Sequence, residues 1–234
     1  MKKQILYCLA LLSFSSGSAQ SLLGAWEATL EKEGSTLRNV VIFSASHQVA
    51  TFYDAETGAF VGTNGGLWSL TDNMLTETVE FDFENPERVG TTSTFEIELT
   101  KDELKIKGSE LVWKRIDDGS PGALAGAWLI SGRMQDGEIR KRDTDRPRKT
   151  MKILSGTRFQ WIAYNTETKE FMGTGGGTYT TLDGKYTEHI EFFSRDNERV
   201  GASLEFNYEL KNGDWHHSGL SSKGKSIYEV WSLR

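Results

Sequence analysis

The chain has 234 residues, a formal net charge of −6, 11% aromatic residues and one cysteine, Cys8. The acidity argues against nucleic acid or anionic lipid as the main partner. With no cysteine after Cys8, the rest of the chain has no disulfide, thiolate nucleophile or cysteine metal site, and its aromatic content suits packed cores rather than disorder.

At the start, Lys2 and Lys3 precede a mostly apolar stretch over residues 5–14 and small residues over 15–19. That order predicts a signal peptide, residues 1–19, cleaved after Ala19, and hence a secreted or periplasmic protein. The apolar stretch is shorter than the roughly 20 residues a membrane span needs. Cys8 interrupts it and is expected to be a passive apolar residue. Removal of the two lysines takes the charge from −6 to −8.

The next segment, residues 21–116, is expected to form one module. It opens with Gly24-Ala25-Trp26 and carries Phe60-Val61-Gly62-Thr63-Asn64-Gly65-Gly66, then Leu75-Thr76-Glu77-Thr78-Val79-Glu80-Phe81, then Glu87-Arg88-Val89-Gly90. Residues 117–122 read as a linker. Residues 123–234 repeat the pattern. Gly126-Ala127-Trp128 opens the copy, and three blocks return at a common offset of 111. They are Phe171-Met172-Gly173-Thr174-Gly175-Gly176-Gly177, Tyr186-Thr187-Glu188-His189-Ile190-Glu191-Phe192 and Glu198-Arg199-Val200-Gly201. One offset shared by three blocks marks an internal duplication. Offsets of 102 between Trp26 and Trp128, and 118 between Trp113 and Trp231, place insertions around residues 140–148 and 220–226, in loops where backbone stays solvated.

Within each copy apolar residues alternate with polar ones, the period of a strand with one buried face. Turn signals such as Asp183-Gly184 and Asn212-Gly213 recur every eight to twelve residues. The expected fold is all-β: two tandem small antiparallel up-and-down barrels of about eight strands each. A single sheet or sandwich shared by both copies is the alternative.

The paired Gly-Ala-Trp tripeptides, each followed by a strand meander, resemble the start of the lipocalin-like (calycin) barrels. The repeated Gly-rich and Thr-Glu blocks are similar to those of uncharacterised secreted bacterial lipocalin-like proteins. The resemblance covers most of both copies. It implies a Trp plugging one barrel end under a basic residue, with Lys114, Arg115 and Arg234 as candidates, and a pocket for a small ligand. Each copy is shorter than a typical lipocalin and lacks its disulfides and carboxy-terminal helix.

The candidate site follows from Glu77 and Glu188, each a carboxylate on an otherwise apolar strand face with Leu75 or Tyr186, Val79 or Ile190, and Phe81 or Phe192. Buried charge demands a partner, and Arg88 and Arg199, across the next turn, are the expected guanidinium donors. Trp161, Tyr179, Tyr186 and Trp215, with Tyr164 and Tyr228 nearby, concentrate aromatic surface in the second copy and favour it as the binding half. The leading expectation is a non-enzymatic protein holding a small, partly apolar ligand. Two others stand beside it: a solid-barrel interaction module working through the seam between copies and the basic loop after Arg140, and an isomerase or hydrolase with Glu188 as base.

No cofactor or metal is expected. His216 and His217 are adjacent on a strand and point to opposite faces. His189 and Glu191 share the expected wet face without a third ligand. The Gly-rich blocks lack the strand-to-helix setting of a phosphate loop and read as bulges that curve the sheet. Residues 140–152 carry seven basic and two acidic side chains; the stretch reads as a solvated loop, open to an acidic glycan, lipopolysaccharide or an acidic partner.

Overall fold

A computed structural model describes residues 21–221 and 224–234. The expected signal peptide, with Cys8, lies outside the described residues. Strands β1 (Gly24–Lys32), β2 (Ser35–Phe43), β3 (His47–Asp54), β4 (Phe60–Thr71), β5 (Met74–Asp82), β6 (Thr92–Leu99), β7 (Glu103–Ile106) and β8 (Val112–Asp117) form the first barrel. Each is antiparallel to the next, and β1 pairs with β8 to close the ring. The second barrel comprises β9 (Gly126–Gln135), β11 (Arg148–Leu154), β12 (Arg158–Asn165), β13 (Phe171–Leu182), β14 (Lys185–Phe193), β15 (Ser203–Lys211), β16 (Asp214–Leu220) and β17 (Ser226–Leu233). It closes through β9 and β17, while β10 (Glu138–Lys141), inside the first insertion, hairpins onto β9 outside the ring. Closure leaves no ladder edge open in either ring. Two single-turn 3₁₀ segments, Pro86–Arg88 and Asn197–Arg199, are the helical elements among the described residues. No helix among them is long and apolar enough to cross a membrane.

Each barrel interior has its own core. Leu22, Trp26, Val41, Phe43, Leu75, Ile97, Leu104 and Trp113 fill the first. Trp128, Leu154, Phe159, Tyr179, Tyr186, Phe206, Trp215 and Trp231 form the second. The two Gly-Ala-Trp tryptophans are held identically, Trp26 Nε1 donating to Leu22 O and Trp128 Nε1 to Leu124 O, both at 2.9 Å. The Arg115 guanidinium lies 3.9 Å from the Trp26 ring centroid. Arg234, the candidate for the same duty in the second copy, is elsewhere: it forks onto Glu80 at 2.8 and 2.9 Å. Trp128 instead meets Trp215 edge-to-face, 5.9 Å between centroids.

A third core lies between the barrels. Val40, Ile42, Val49, Tyr53 and Phe81 of the first pack against Leu129, Met151, Ile153, Ile162, Tyr164 and Phe192 of the second. Strands β2–β5 and β11–β14 are therefore covered on both faces, which is why Val40-Val41-Ile42-Phe43 reads as an unbroken apolar run. Burying each such side chain is worth about 1.5–3 kcal/mol. The contacts obey an approximate two-fold axis. Tyr53 stacks on Phe192 and Phe81 meets Tyr164 at a tilt of 38°, both at 4.9 Å, and Phe60 meets Phe171 face to face at 6.0 Å and 2°. Every pair exchanges under the 111-residue offset. Gln160 bridges the axis: it accepts from Thr51 Oγ1 at 2.6 Å and donates to Thr63 and Thr174, both at 3.0 Å. Along these strands the seam is filled by the chain's own side chains.

The axis also swaps two glutamates. The Tyr164 hydroxyl donates to Glu80, and the Tyr53 hydroxyl donates to Glu191 at 2.7 Å. Arg158 and Arg38 complete the Glu191 cluster at 2.5 and 3.2 Å. Glu191 therefore does not share a wet face with His189. Burial pushes the Glu80 carboxyl pKa up, but His47, Arg234 and Tyr164 outweigh it and hold it well below the ordinary 4.5. Asp117, at the end of β8, behaves alike: burial raises it, and Thr157, Gly119, Gly156 and Ser155 together lower it below 3.8. Asp117 thereby fastens the linker to the β11–β12 turn, accepting from Ser155 Oγ at 2.8 Å and Thr157 Oγ1 at 2.6 Å. Both folded pKa values lie below the unfolded ones, so this stabilisation is complete above the unfolded pKa and lost as pH falls toward the folded one. From these two carboxylates urea midpoints are expected to fall below about pH 4.5, with Glu80→Gln flattening that part of the fall.

Candidate functional site

The Gly-rich blocks shape the site. β13 shifts register against β14 between Gly176 and Gly177, and β4 against β5 between Gly65 and Gly66. A Cβ on Gly177, whose φ is +156°, would sit 2.0 Å from His189 O; one on Gly66 would sit 2.0 Å from Thr78 O. Each bulge breaks the alternation on the facing strand. In β14, Tyr186, Glu188 and Ile190 face inward, whereas Glu191 and Phe192 both reach the seam. Phe81 and Phe192, expected beside Glu77 and Glu188 in one chamber, are thus seam residues, as is Tyr164.

In the second barrel a cavity of about 500 Å³ opens beneath the Asn197–Arg199 turn. Its apolar walls are Trp161, Ile190, Phe193, Leu204, Phe206 and Ile227, and its charged groups are Arg133, Lys152, Glu188, Arg199, Glu229 and the rim residue Glu198. Lys152 and Glu188 lie at 6% and 4% exposure with Nζ–Oε1 at 2.7 Å. Four rings surround the ammonium, their centroids 4.9 Å (Tyr186), 5.1 Å (Trp215), 5.4 Å (Trp231) and 5.9 Å (Phe206) from Nζ. Cation–π attraction in this dry setting adds about 2 kcal/mol to what the carboxylate supplies. Lys152 was expected in a solvated loop; it sits in the middle of β11, pointing into the barrel.

The residues singled out from sequence divide accordingly. Trp161, Glu188 and Arg199 line the cavity. Tyr186 and Trp215 lie fully buried behind it. Tyr179 belongs to the same core, and its hydroxyl donates to Ser155 O at 2.6 Å. The expected Glu188–Arg199 pair does not form: Arg199 bonds Asp196 at 3.1 Å and lies 5.3 Å from the Phe193 ring centroid. In the first barrel Arg88 bonds Asp82 at 2.9 Å rather than Glu77. Burial raises the half-buried Glu77 carboxyl pKa, and the Arg88 charge offsets part of that rise.

His217 also lines the cavity, with His216 on the opposite face bonded to Tyr228. His217 is 1% exposed, and neither ring nitrogen has a hydrogen-bond partner. Glu229 approaches to 3.6 Å and is itself held by Arg133 at 3.0 Å. Burial first, and the Lys152 charge second, push the imidazole pKa below 6.5, against the pull of Glu229 and Glu188. The Tyr186 hydroxyl is likewise buried and unpartnered; burial, then the Glu188 charge, drive its pKa well up. The site presents fixed charges and open polar valences at the base of an apolar chamber.

Lys152 and His217 were the residues that sequence reasoning missed. The repeat offers the signal for Lys152: its counterpart at offset 111 is Val41, inside the first barrel.

Residues 123–232 match the family model of a domain of unknown function, DUF4488. No curated protein matches the chain. Among solved structures, an uncharacterised protein from Bacteroides eggerthii is similar at 14% identity, over 47% of this chain and 98% of that one, with a TM-score of 0.32.

Proposed function

We propose that this is an exported, lipocalin-like, non-enzymatic binding protein that holds one small, partly apolar molecule inside its second barrel. The observation that carries the reading is the cavity of about 500 Å³ with apolar walls and a buried Lys152–Glu188 pair at its base. Its volume lies in the range of about 300–1,000 Å³ usual for small-molecule sites, and a few placed polar groups in an apolar chamber suit orientation of an amphipathic ligand. The lipocalin-like element draws support from the Trp plugs and from Arg115 over Trp26. Export rests on the order of charged, apolar and small residues over 1–19. The first barrel, with Val41 where the second has Lys152, serves in this reading as the scaffold that buries the outer face of β11–β14.

Native mass spectrometry of the purified protein, followed by titration of apolar acids, alcohols and amines against tryptophan fluorescence, tests the reading. Saturable one-to-one binding is expected, weakened at least ~10-fold in Leu204→Trp, which fills the chamber. Absence of any adduct and of any saturable binding would end it.

A further inference from the structure

We propose that β10 is a docking edge for an acidic, extended peptide segment of another protein, which joins the sheet as an added strand. The proposal concerns the outside of the second barrel and stands apart from the binding reading of its interior.

The two copies differ at this point. In the first, β1 pairs with β2 along its whole length, from Lys32 opposite Ser35 to Gly24 opposite Phe43. In the second, β11 pairs with residues 126–129 of β9, and the insertion supplies β10 as the partner of residues 132–135. Asp136 and Gly137, at φ +52° and +85°, make the tight type I′ turn that joins β9 to β10. Among the described residues β9 is the one strand paired with β10, so the insertion adds an edge to a molecule whose rings are closed. The phase of that edge follows from the ladder. Arg142 N donates to Ser131 O at 2.7 Å, so Arg142, Arg140 and Glu138 turn their backbone groups toward β9, and Ile139 and Lys141 turn theirs away. All four residues of β10 are exposed. Two N–H and two C=O groups therefore face outward, the arrangement that accepts a further strand.

Charge selects the partner. Around the hairpin Arg140 is held by Asp136 at 3.0 Å, Arg146 by Asp143 at 3.7 Å and Arg133 by Glu229 at 3.0 Å. Lys141, Arg142, Arg148 and Lys149 have no carboxylate in salt-bridge reach among the described residues, and Lys149 bonds the Thr144 and Arg146 carbonyls instead. The acids left over are the exposed Glu138 and Asp145. Burial first, then the charges of Arg148, Arg133 and Arg146, lower the Arg142 pKa, and no acid pulls against them. A second copy of this edge would set the same cationic surplus against itself, whereas a strand bearing carboxylates is attracted to it. An acidic glycan or an anionic lipid answers the charge but has no ladder of N–H and C=O groups to meet the open edge. The side chains of Ile139 and Lys141 share one face of β10 and, with Arg142 and Val230, line a cavity of about 390 Å³. Asp214, the acid of this cavity, accepts from Ser232 Oγ at 2.7 Å. An added strand sends alternate residues over that face, where a carboxylate meets Lys141 and Arg142 and an apolar side chain meets Ile139.

The probe is a short fluorescein-labelled peptide that alternates Glu with Val and Thr, titrated with the purified protein and followed by fluorescence anisotropy. Saturable binding is expected, weakening at least ~10-fold as salt rises from about 50 to about 300 mM. Methylating alternate backbone nitrogens of the peptide should cost at least ~10-fold, because the ladder can no longer form. Ile139→Pro removes one outward N–H and no bond to β9, so it should lose at least ~10-fold while its circular dichroism spectrum stays unchanged. Lys141→Glu/Arg142→Glu should lose as much and regain binding toward a peptide with Lys in place of Glu. If Ile139→Pro does not fold, the methylated peptide decides. Absence of saturable peptide binding, or equal binding of the methylated and unmethylated forms, overturns the proposal. Alginate or phosphatidylglycerol vesicles binding as tightly as the peptide, and equally well to Ile139→Pro, would also overturn it, by assigning the cationic patch to a glycan or a membrane. None of these outcomes bears on the interior of the barrel.

Discussion

Lys152→Met is expected to destabilise the protein by about 3–5 kcal/mol, because it strands the Glu188 carboxylate in the barrel interior. Lys152 and Glu188 lie 2.7 Å apart and almost without solvent access, so the variant leaves the remaining charge without its counter-ion at the base of the chamber. Arg199 cannot step in: it is engaged by Asp196 at the mouth. The companion change Glu188→Leu should also be costly alone, leaving an ammonium among four rings. The double variant is the informative one. A fully apolar interior can match a buried ion pair in stability, so Lys152→Met/Glu188→Leu should recover most of the loss, giving a coupling of about 2 kcal/mol or more in a urea double-mutant cycle. Additive losses would show that the two charges are solvated separately.

Gly177→Ala is expected to cost at least about 3 kcal/mol, enough to populate unfolded chain in a domain of ordinary stability. The added methyl would stand 2.0 Å from His189 O and 2.8 Å from Glu191 N, both backbone atoms, at a φ of +156°. Neither can retreat without opening the β13–β14 ladder on which Glu188 is mounted. Gly184→Ala is the control. It too has a positive φ, +73°, but nothing lies within 4 Å of its added carbon, so about 1–2 kcal/mol is expected there. Equal losses at the two positions would mean that conformation alone, without the close approach, governs the bulge.

Much of the architecture was legible in the chain. The 111-residue offset gave two modules, the period of two gave strands, and the Gly-rich blocks were read as bulges. The misreadings have one physical origin. A strand with a wet outer face puts its apolar residues inward, so Met151-Lys152-Ile153 reads as two core residues flanking a solvated lysine. In β11 the outer face is covered by the first barrel, so Met151 and Ile153 go to the seam and Lys152 goes inside. The bulges then move Glu191 and Phe192 out of the register that simple alternation assigns. Nothing local to residues 186–199 signals this, because the decisive contacts come from more than a hundred residues upstream.

A symmetric pair assembled from separate chains must carry every substitution twice and falls apart on dilution. Here the two partners are joined through Asp117 and its anchored turn, so their association is a folding event, indifferent to protein concentration. Joining them also frees each half to change alone. A lysine tolerable in one lumen need not be tolerated in the other, where Val41 keeps its place. One half can specialise while its twin supplies the wall against which it leans.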